Sequence, residues 1–215
     1  MLANPKQVAA LVDAFRQGTK LTYKKGEYIL RPGESPPGVF YIDSGQVKAY
    51  KITRYGEENL LHIRKEHEIF PLIWATTGKD REVIYQALSP TTVWRISRAN
   101  YSKFMKEHPD ALPPFIDMVI EMYRLHSERI LNLEYRTVRE RVISFLLTMS
   151  ERFNKKTKDG IMIDVPLKQQ DIASSINSSR ETTSRELTYL ERKGLITLAP
   201  PYITLKDKEK LRKYL

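Results

Sequence analysis

Arg180, Glu181 and Arg185 are the side chains of this sequence best suited to chemistry on another molecule. An Arg–Glu pair with a second arginine four or five residues on can reach base edges, provided that all three ride on a helix lying in a major groove. Such a helix has to be held, and the flanking residues are of the right type to hold it. Leu187 and Leu190 form its apolar face, while Ile172, Ala173 and Ile176 form the face of a shorter helix before it. Between them stands Asn177-Ser178-Ser179. Asparagine tolerates left-handed backbone angles and serine caps helix N-termini, so Leu167–Lys193 reads as helix, tight turn, helix.

No catalytic pattern competes with this one. The sequence holds no glycine-rich phosphate loop, metal-ligand cluster or nucleophile motif, and an enzyme is not expected. The carboxylate pairs Glu57-Glu58 and Glu66/Glu68 fall in polar turns or at strand edges, where solvation accounts for them. With no cysteine, disulfides, thiolate zinc sites and cysteine-ligated iron–sulfur clusters are excluded.

The chain of 215 residues carries a formal charge of +10. From Arg136 onward there are 17 Lys and Arg against 10 Asp and Glu, so most of the excess surrounds the proposed reading helix. That distribution fits a polyanionic partner as well as a plain solvated surface. No apolar run reaches the roughly 18–20 residues that span a bilayer. Met1–Gln17 lacks a basic start followed by an apolar block. A cytoplasmic location without membrane contact is the expectation.

The elements that must position the reading helix follow in order. Asn4-Pro5 starts a short helix with Val8, Leu11, Val12 and Phe15 on one face, ending near Gly18. From about Leu21 to Ile96, short β-rich runs alternate with turn residues, the texture of an antiparallel barrel or sandwich. Ser97 caps a helix that His108-Pro109 stops.

A longer helix is expected over Leu112–Leu133 with two apolar stripes. Ile116, Val119, Tyr123, His126, Ile130 and Leu133 step by three and four as a coiled-coil seam does; Phe115, Met118, Met122 and Leu125 lie beside them. One stripe is assigned to the β domain and the other to a symmetry mate. Glu134-Tyr135-Arg136 reads as a hinge, Thr137 as the cap of another helix, and Lys155–Gly160 as a polar loop. Two apolar strands around Ala199-Pro200-Pro201 form a hairpin after the reading helix, and a short basic helix closes the chain.

A β-roll, a long helix and a winged helix in that order resemble the cyclic-AMP receptor protein / fumarate-nitrate regulator (Crp/Fnr) family. The run Ser179-Arg180-Glu181-Thr182-Thr183-Ser184-Arg185 is similar to its Ser-Arg-Glu-Thr-x-x-Arg motif, and Pro32-Gly33-Glu34 and Tyr41-Ile42-Asp43-Ser44-Gly45-Gln46-Val47 are similar to its β-roll. The resemblance implies an α+β fold in three parts: an antiparallel, cyclic-nucleotide-binding-like jelly roll over 1–111, a dimerisation helix and hinge over 112–135, and a winged helix-turn-helix over 136–215. It implies a transcription regulator that binds double-stranded DNA as a homodimer on an inverted, TGTGA-like palindrome, with RNA polymerase as a further partner. Arg180 and Arg185 then correspond to the arginines that donate to guanine, and Glu181 to the carboxylate that accepts from cytosine. Lys168, Gln169, Gln170, Ser179 and Thr182 stand where phosphate contacts fix register.

The resemblance breaks at the effector pocket. Cyclic-nucleotide binders of the family carry Phe-Gly-Glu-Leu and a following Arg-Ser. This chain has Phe70-Pro71-Leu72-Ile73 and Arg81-Glu82. Leu72 replaces the ribose carboxylate and Glu82 replaces a phosphate donor, so the expected effector is not a cyclic nucleotide, or there is none. Tyr123, His126 and Ser127 lie where family members meet their effector, as alternatives to a plain seam role. No cofactor is expected. Heme stays open as the alternative, with His62, His67, His108 and His126 as candidate ligands, although none of them shows a ligand spacing.

Overall fold

The computed structural model describes residues 2–215. It divides into two compact units. One runs up to Lys51 and resumes over Leu61–Leu125, and the other joins Ile52–Leu60 to His126–Leu215.

The first unit opens with α1 (Pro5–Arg16). Asn4 Oδ1 accepts from the Gln7 amide at 3.1 Å and Gln7 Oε1 accepts from the Asn4 amide at 2.9 Å, a reciprocal cap that satisfies two of the helix's orphan donors. Strands β1 (Thr19–Tyr23), β2 (Tyr28–Leu30), β3 (Val39–Ser44), β4 (Val47–Ile52), β5 (Glu58–Arg64) and β6 (Ile69–Phe70) follow. A one-and-a-half-turn helix, α2 (Leu72–Thr77), separates them from β7 (Ile84–Ala87) and β8 (Thr91–Ile96). The strands form two antiparallel sheets in the orders β1-β8-β3-β6 and β2-β7-β4-β5. Two apolar clusters fill this unit, one built on Phe15, Tyr41 and Ile69, the other on Phe40, Phe70 and Tyr85. Gly45 joins β3 to β4 at φ +94°, with the Pro90 carbonyl 2.5 Å from where a Cβ would sit. Only glycine fits that corner.

After β8, Ser97 caps α3 (Arg98–Glu107) through the Asn100 amide at 3.1 Å, as expected. A 3₁₀ turn (Pro109–Ala111) leads into α4 (Leu112–Tyr135). Phe115, Met118 and Met122 pack against the cluster of Leu11, Phe15 and Tyr101, so of the two stripes this is the one that meets the β domain. The other stripe stays in solvent: Ile116, Val119, Tyr123, Ile130 and Leu133 are all exposed, Tyr123 at 74%.

The second unit contains the last ten residues of α4 and then α5 (Val138–Arg152). The expected hinge shifts slightly: α4 keeps its helical turn through Tyr135, and the break is Arg136-Thr137. Thr137 is the reason, because its hydroxyl accepts from the Glu140 amide and starts a new helix. The chain continues through β9 (Asn154–Thr157), β10 (Gly160–Ile163), α6 (Gln169–Ser175), α7 (Arg180–Arg192), β11 (Ile196–Ala199), β12 (Tyr202–Leu205) and α8 (Lys208–Arg212). Lys155–Gly160 is therefore not a loop throughout. Its first residues are an edge strand paired to β10, and the exposed lysines that made it read as a loop are what protects such an edge. The sheet order is β11-β12-β10-β9.

Candidate nucleic-acid interface

The expected reading motif is α6, a turn and α7. Ile172, Ala173 and Ile176 of α6 are buried, as are Leu187 and Leu190 of α7, so both apolar faces meet the core of this unit. Asn177 takes φ +52°, the left-handed turn anticipated from its type. Ser179 Oγ accepts from the Thr182 amide at 3.1 Å and caps α7. On the opposite side, Arg180, Glu181 and Arg185 are exposed together within the first two turns of α7.

Their electrostatics suit base reading. Hydrogen bonds from its own amide and from the Ser179 hydroxyl hold the Glu181 carboxyl below the usual carboxylate range, and Arg180 and Arg185 add to this. It is charged at neutral pH and available as an acceptor. Arg185 Nη2 donates to Thr182 Oγ1 at 3.1 Å, which aims the guanidinium along the helix N-terminus. Lys168 and Gln170, at the entrance of α6, are exposed, and Gln169 is half-buried; the Lys168 amide donates to Asp171 Oδ2 at 3.0 Å. Beside α7, β11 and β12 pair from Ile196↔Leu205 to Ala199↔Tyr202 and form the hairpin expected as a wing.

Three arginines that sequence reasoning did not single out support the motif. Arg139 Nε donates to Glu186 Oε2 at 2.6 Å and its guanidinium lies 3.8 Å over the Tyr189 ring, tying α5 to α7. Arg141 Nη1 donates to the Ile176 carbonyl at 2.8 Å, at the turn between the two helices. Arg129 binds the segment 52–60. The basic excess after Arg136 was the only signal of the first two, and it names no partners.

The expected effector residues are divided between the units. In the first, Leu72 is buried in an apolar cluster, whereas Arg81 and Glu82 are exposed, and Glu82 lies 3.9 Å from Lys51 Nζ. Tyr123 is exposed on α4. In the second, His126 and Ser127 are half-buried.

A further expectation is overturned. Glu68 does not sit in solvent: it is 8% exposed, with Oε2 at 3.4 Å from Arg64 Nη1 and 3.5 Å from His62 Nε2. The turn Lys65–His67 folds it back beside β5, and Arg64 Nη1 also contacts Met122 Sδ at 3.0 Å. Among the described residues no group of three His, Asp or Glu side chains is placed to hold a metal ion, and no helix is long and apolar enough to cross a membrane.

Comparison with known proteins gives two family matches. Residues 20–108 match a cyclic nucleotide-binding domain and residues 140–214 match a Crp-like helix-turn-helix domain. The chain is 30% identical over 193 residues to the global nitrogen regulator of Synechocystis sp., covering 86% of this chain and 83% of that one. Its fold is similar to that of a CooA mutant from Carboxydothermus hydrogenoformans, with a TM-score of 0.77 at 22% identity, covering 94% and 89% of the two chains. FixK2 from Bradyrhizobium japonicum is similar at TM-score 0.77 and 24% identity, covering 91% and 96%.

Proposed function

The chain belongs to the Crp/Fnr family of helix-turn-helix transcription regulators, and from that premise we propose that it acts as a homodimer on an inverted, TGTGA-like palindrome. One observation carries the reading: Arg180, Glu181 and Arg185 share the solvent face of α7 behind a Ser179 cap. Arg180 and Arg185 donate to guanine edges and Glu181 accepts from cytosine, each good contact contributing about 1–3 kcal/mol of discrimination. Lys168, Gln169, Gln170, Ser179 and Thr182 contact phosphates and set register. The stripe Ile116, Val119, Tyr123, His126, Ile130 and Leu133, exposed at every position but the half-buried His126, forms the seam with the second copy, since a palindromic target requires a two-fold protein.

The input differs from that of a cyclic-nucleotide receptor. Leu72 is buried among apolar side chains and offers no acceptor to a ribose, and the Glu82 carboxylate repels a phosphate. The effector is another small molecule or none, with Arg81, Tyr123, His126 and Ser127 as its candidate contacts. The protein works by binding and not by catalysis, in the cytoplasm, with RNA polymerase as its downstream partner. A gel shift on random duplex across a salt series tests the whole: sequence preference above a steep electrostatic background supports it, and binding without preference sinks it.

A further inference from the structure

Asn59 and Leu60 lie near the end of the hairpin that leaves β4 and returns into β5, within the segment that packs with the second unit. Groups from two different helices meet there. From α4, Arg129 Nη1 donates to the Leu60 carbonyl at 2.8 Å and Nη2 donates to Asn59 Oδ1 at 3.0 Å. From α6, Ser174 Oγ accepts from the Leu60 amide at 3.3 Å and donates to the Asp171 carbonyl at 3.1 Å. One buried residue, Leu60, thus carries a bond to α4 on its carbonyl and to the first helix of the DNA-reading motif on its amide. Burial pulls the pKa of Arg129 down, the mark of a guanidinium withdrawn from water. A charge placed so needs fixed acceptors, and the planar fork matches these two.

We propose that Arg129 is a positioning residue for DNA binding: through Asn59 and Leu60 it fixes α6, and with it α7, against the C-terminal part of α4. The proposal rests on the dimeric, palindrome-binding reading above. In a two-fold dimer the separation of the reading helices follows from how each motif is held on its own dimer helix, and successive major grooves on one face lie about 34–36 Å apart. The covalent joint alone, Arg136-Thr137, is two residues long and is pinned otherwise by Asn132 Nδ2 donating to Ser144 Oγ at 2.8 Å. Loss of the strap leaves each α7 able to read its half-site but frees the distance between the two. Arg129 therefore governs spacing and leaves base identity to α7.

The test measures binding of the full-length chain, Arg129→Lys and Ser174→Ala to an isolated TGTGA half-site. It also measures binding to inverted repeats whose spacer is optimal or one or two base pairs longer or shorter. Lysine keeps the charge but lacks the rigid fork that presents Nη1 to one acceptor and Nη2 to the other, and Ser174→Ala removes the other end of the strap without touching Arg129. The wild type should discriminate among spacers; Arg129→Lys should lose about ten-fold of that discrimination, the scale of a charged hydrogen bond, and Ser174→Ala about three- to ten-fold, the scale of a neutral one. Half-site affinity should stay close to wild type, and the thermal midpoint should fall by only about 2–8 °C, leaving both variants folded at the temperature of the binding assay. A variant that keeps the full spacer preference overturns the proposal. So does parallel loss of half-site affinity, which means that the strap only supports the fold. A wild type that binds no inverted repeat removes the dimeric reading instead, and the proposal with it.

Discussion

Arg64 Nη1 and Glu68 Oε2 lie 3.4 Å apart, both side chains at most one-tenth exposed, with His62 Nε2 3.5 Å from the same carboxylate oxygen. A buried pair of this kind costs desolvation on both sides, so its net worth is small, but removing one partner strands the other. Glu68→Ala should lower the unfolding free energy by about 3–5 kcal/mol. Glu66→Ala, two residues away and exposed, should change it by less than about 0.5 kcal/mol. Urea midpoints at constant m-value measure both. Equal effects would return Glu68 to the surface.

The exposed stripe of α4 predicts a dimer that comes apart without unfolding. Ile130 is 62% exposed in the single chain, so Ile130→Asp should leave its fold intact while placing two charges against each other across the seam. Sedimentation should show the variant as a monomer at concentrations where the wild type is dimeric, with loss of inverted-repeat binding. A wild type that sediments as a monomer bound to DNA would refute the seam.

Cyclic AMP should not bind. On the proposed reading Leu72 and Glu82 replace a ribose acceptor and a phosphate donor, so titration calorimetry should give no micromolar isotherm, and the melting temperature should not rise with the nucleotide. A saturating isotherm in that range would contradict the reading of the pocket.

Acid should weaken the start of α5. The Thr137 hydroxyl and amide hold the Glu140 carboxyl below its ordinary value of 4.5, the hydroxyl bond being the larger cause. A depressed carboxylate stabilises the fold above its unfolded pKa and loses that contribution as pH falls through the folded value. Stability of the wild type should therefore decline below about pH 4.5 more steeply than that of Glu140→Gln, as read by denaturant midpoints between pH 6 and pH 3. Parallel slopes would mean that the cap carries no linked charge.

What could be read from the sequence is what is local. The caps at Asn4, Ser97, Thr137 and Ser179 precede their helices directly, and Arg180, Glu181 and Arg185 declare their shared face by spacing alone. The strands β1 and β6, the helix α2 and the edge strand β9 escaped, being short and stabilised by partners far off in sequence; β6 pairs with β3 through Phe40↔Phe70. The burial of Glu68 escaped because a tight turn brings Arg64 to it and a distant helix brings Met122. Arg129 meets Asn59 and Leu60 across 70 and 69 residues, a separation that no periodicity encodes.

The central claim is that α7 reads an inverted repeat. It is tested most directly by selecting sites from random duplex with wild type, Arg185→Ala and Lys168→Ala, each at several salt concentrations. The wild type should enrich two TGTGA-like half-sites in opposite orientation. Arg185→Ala should lose preference at one base position of each half-site, a loss of about 1–3 kcal/mol. Lys168→Ala should bind every sequence more weakly with the same logo and a shallower salt slope. A wild type that enriches no repeat, or an Arg185→Ala logo identical to it, would contradict the account.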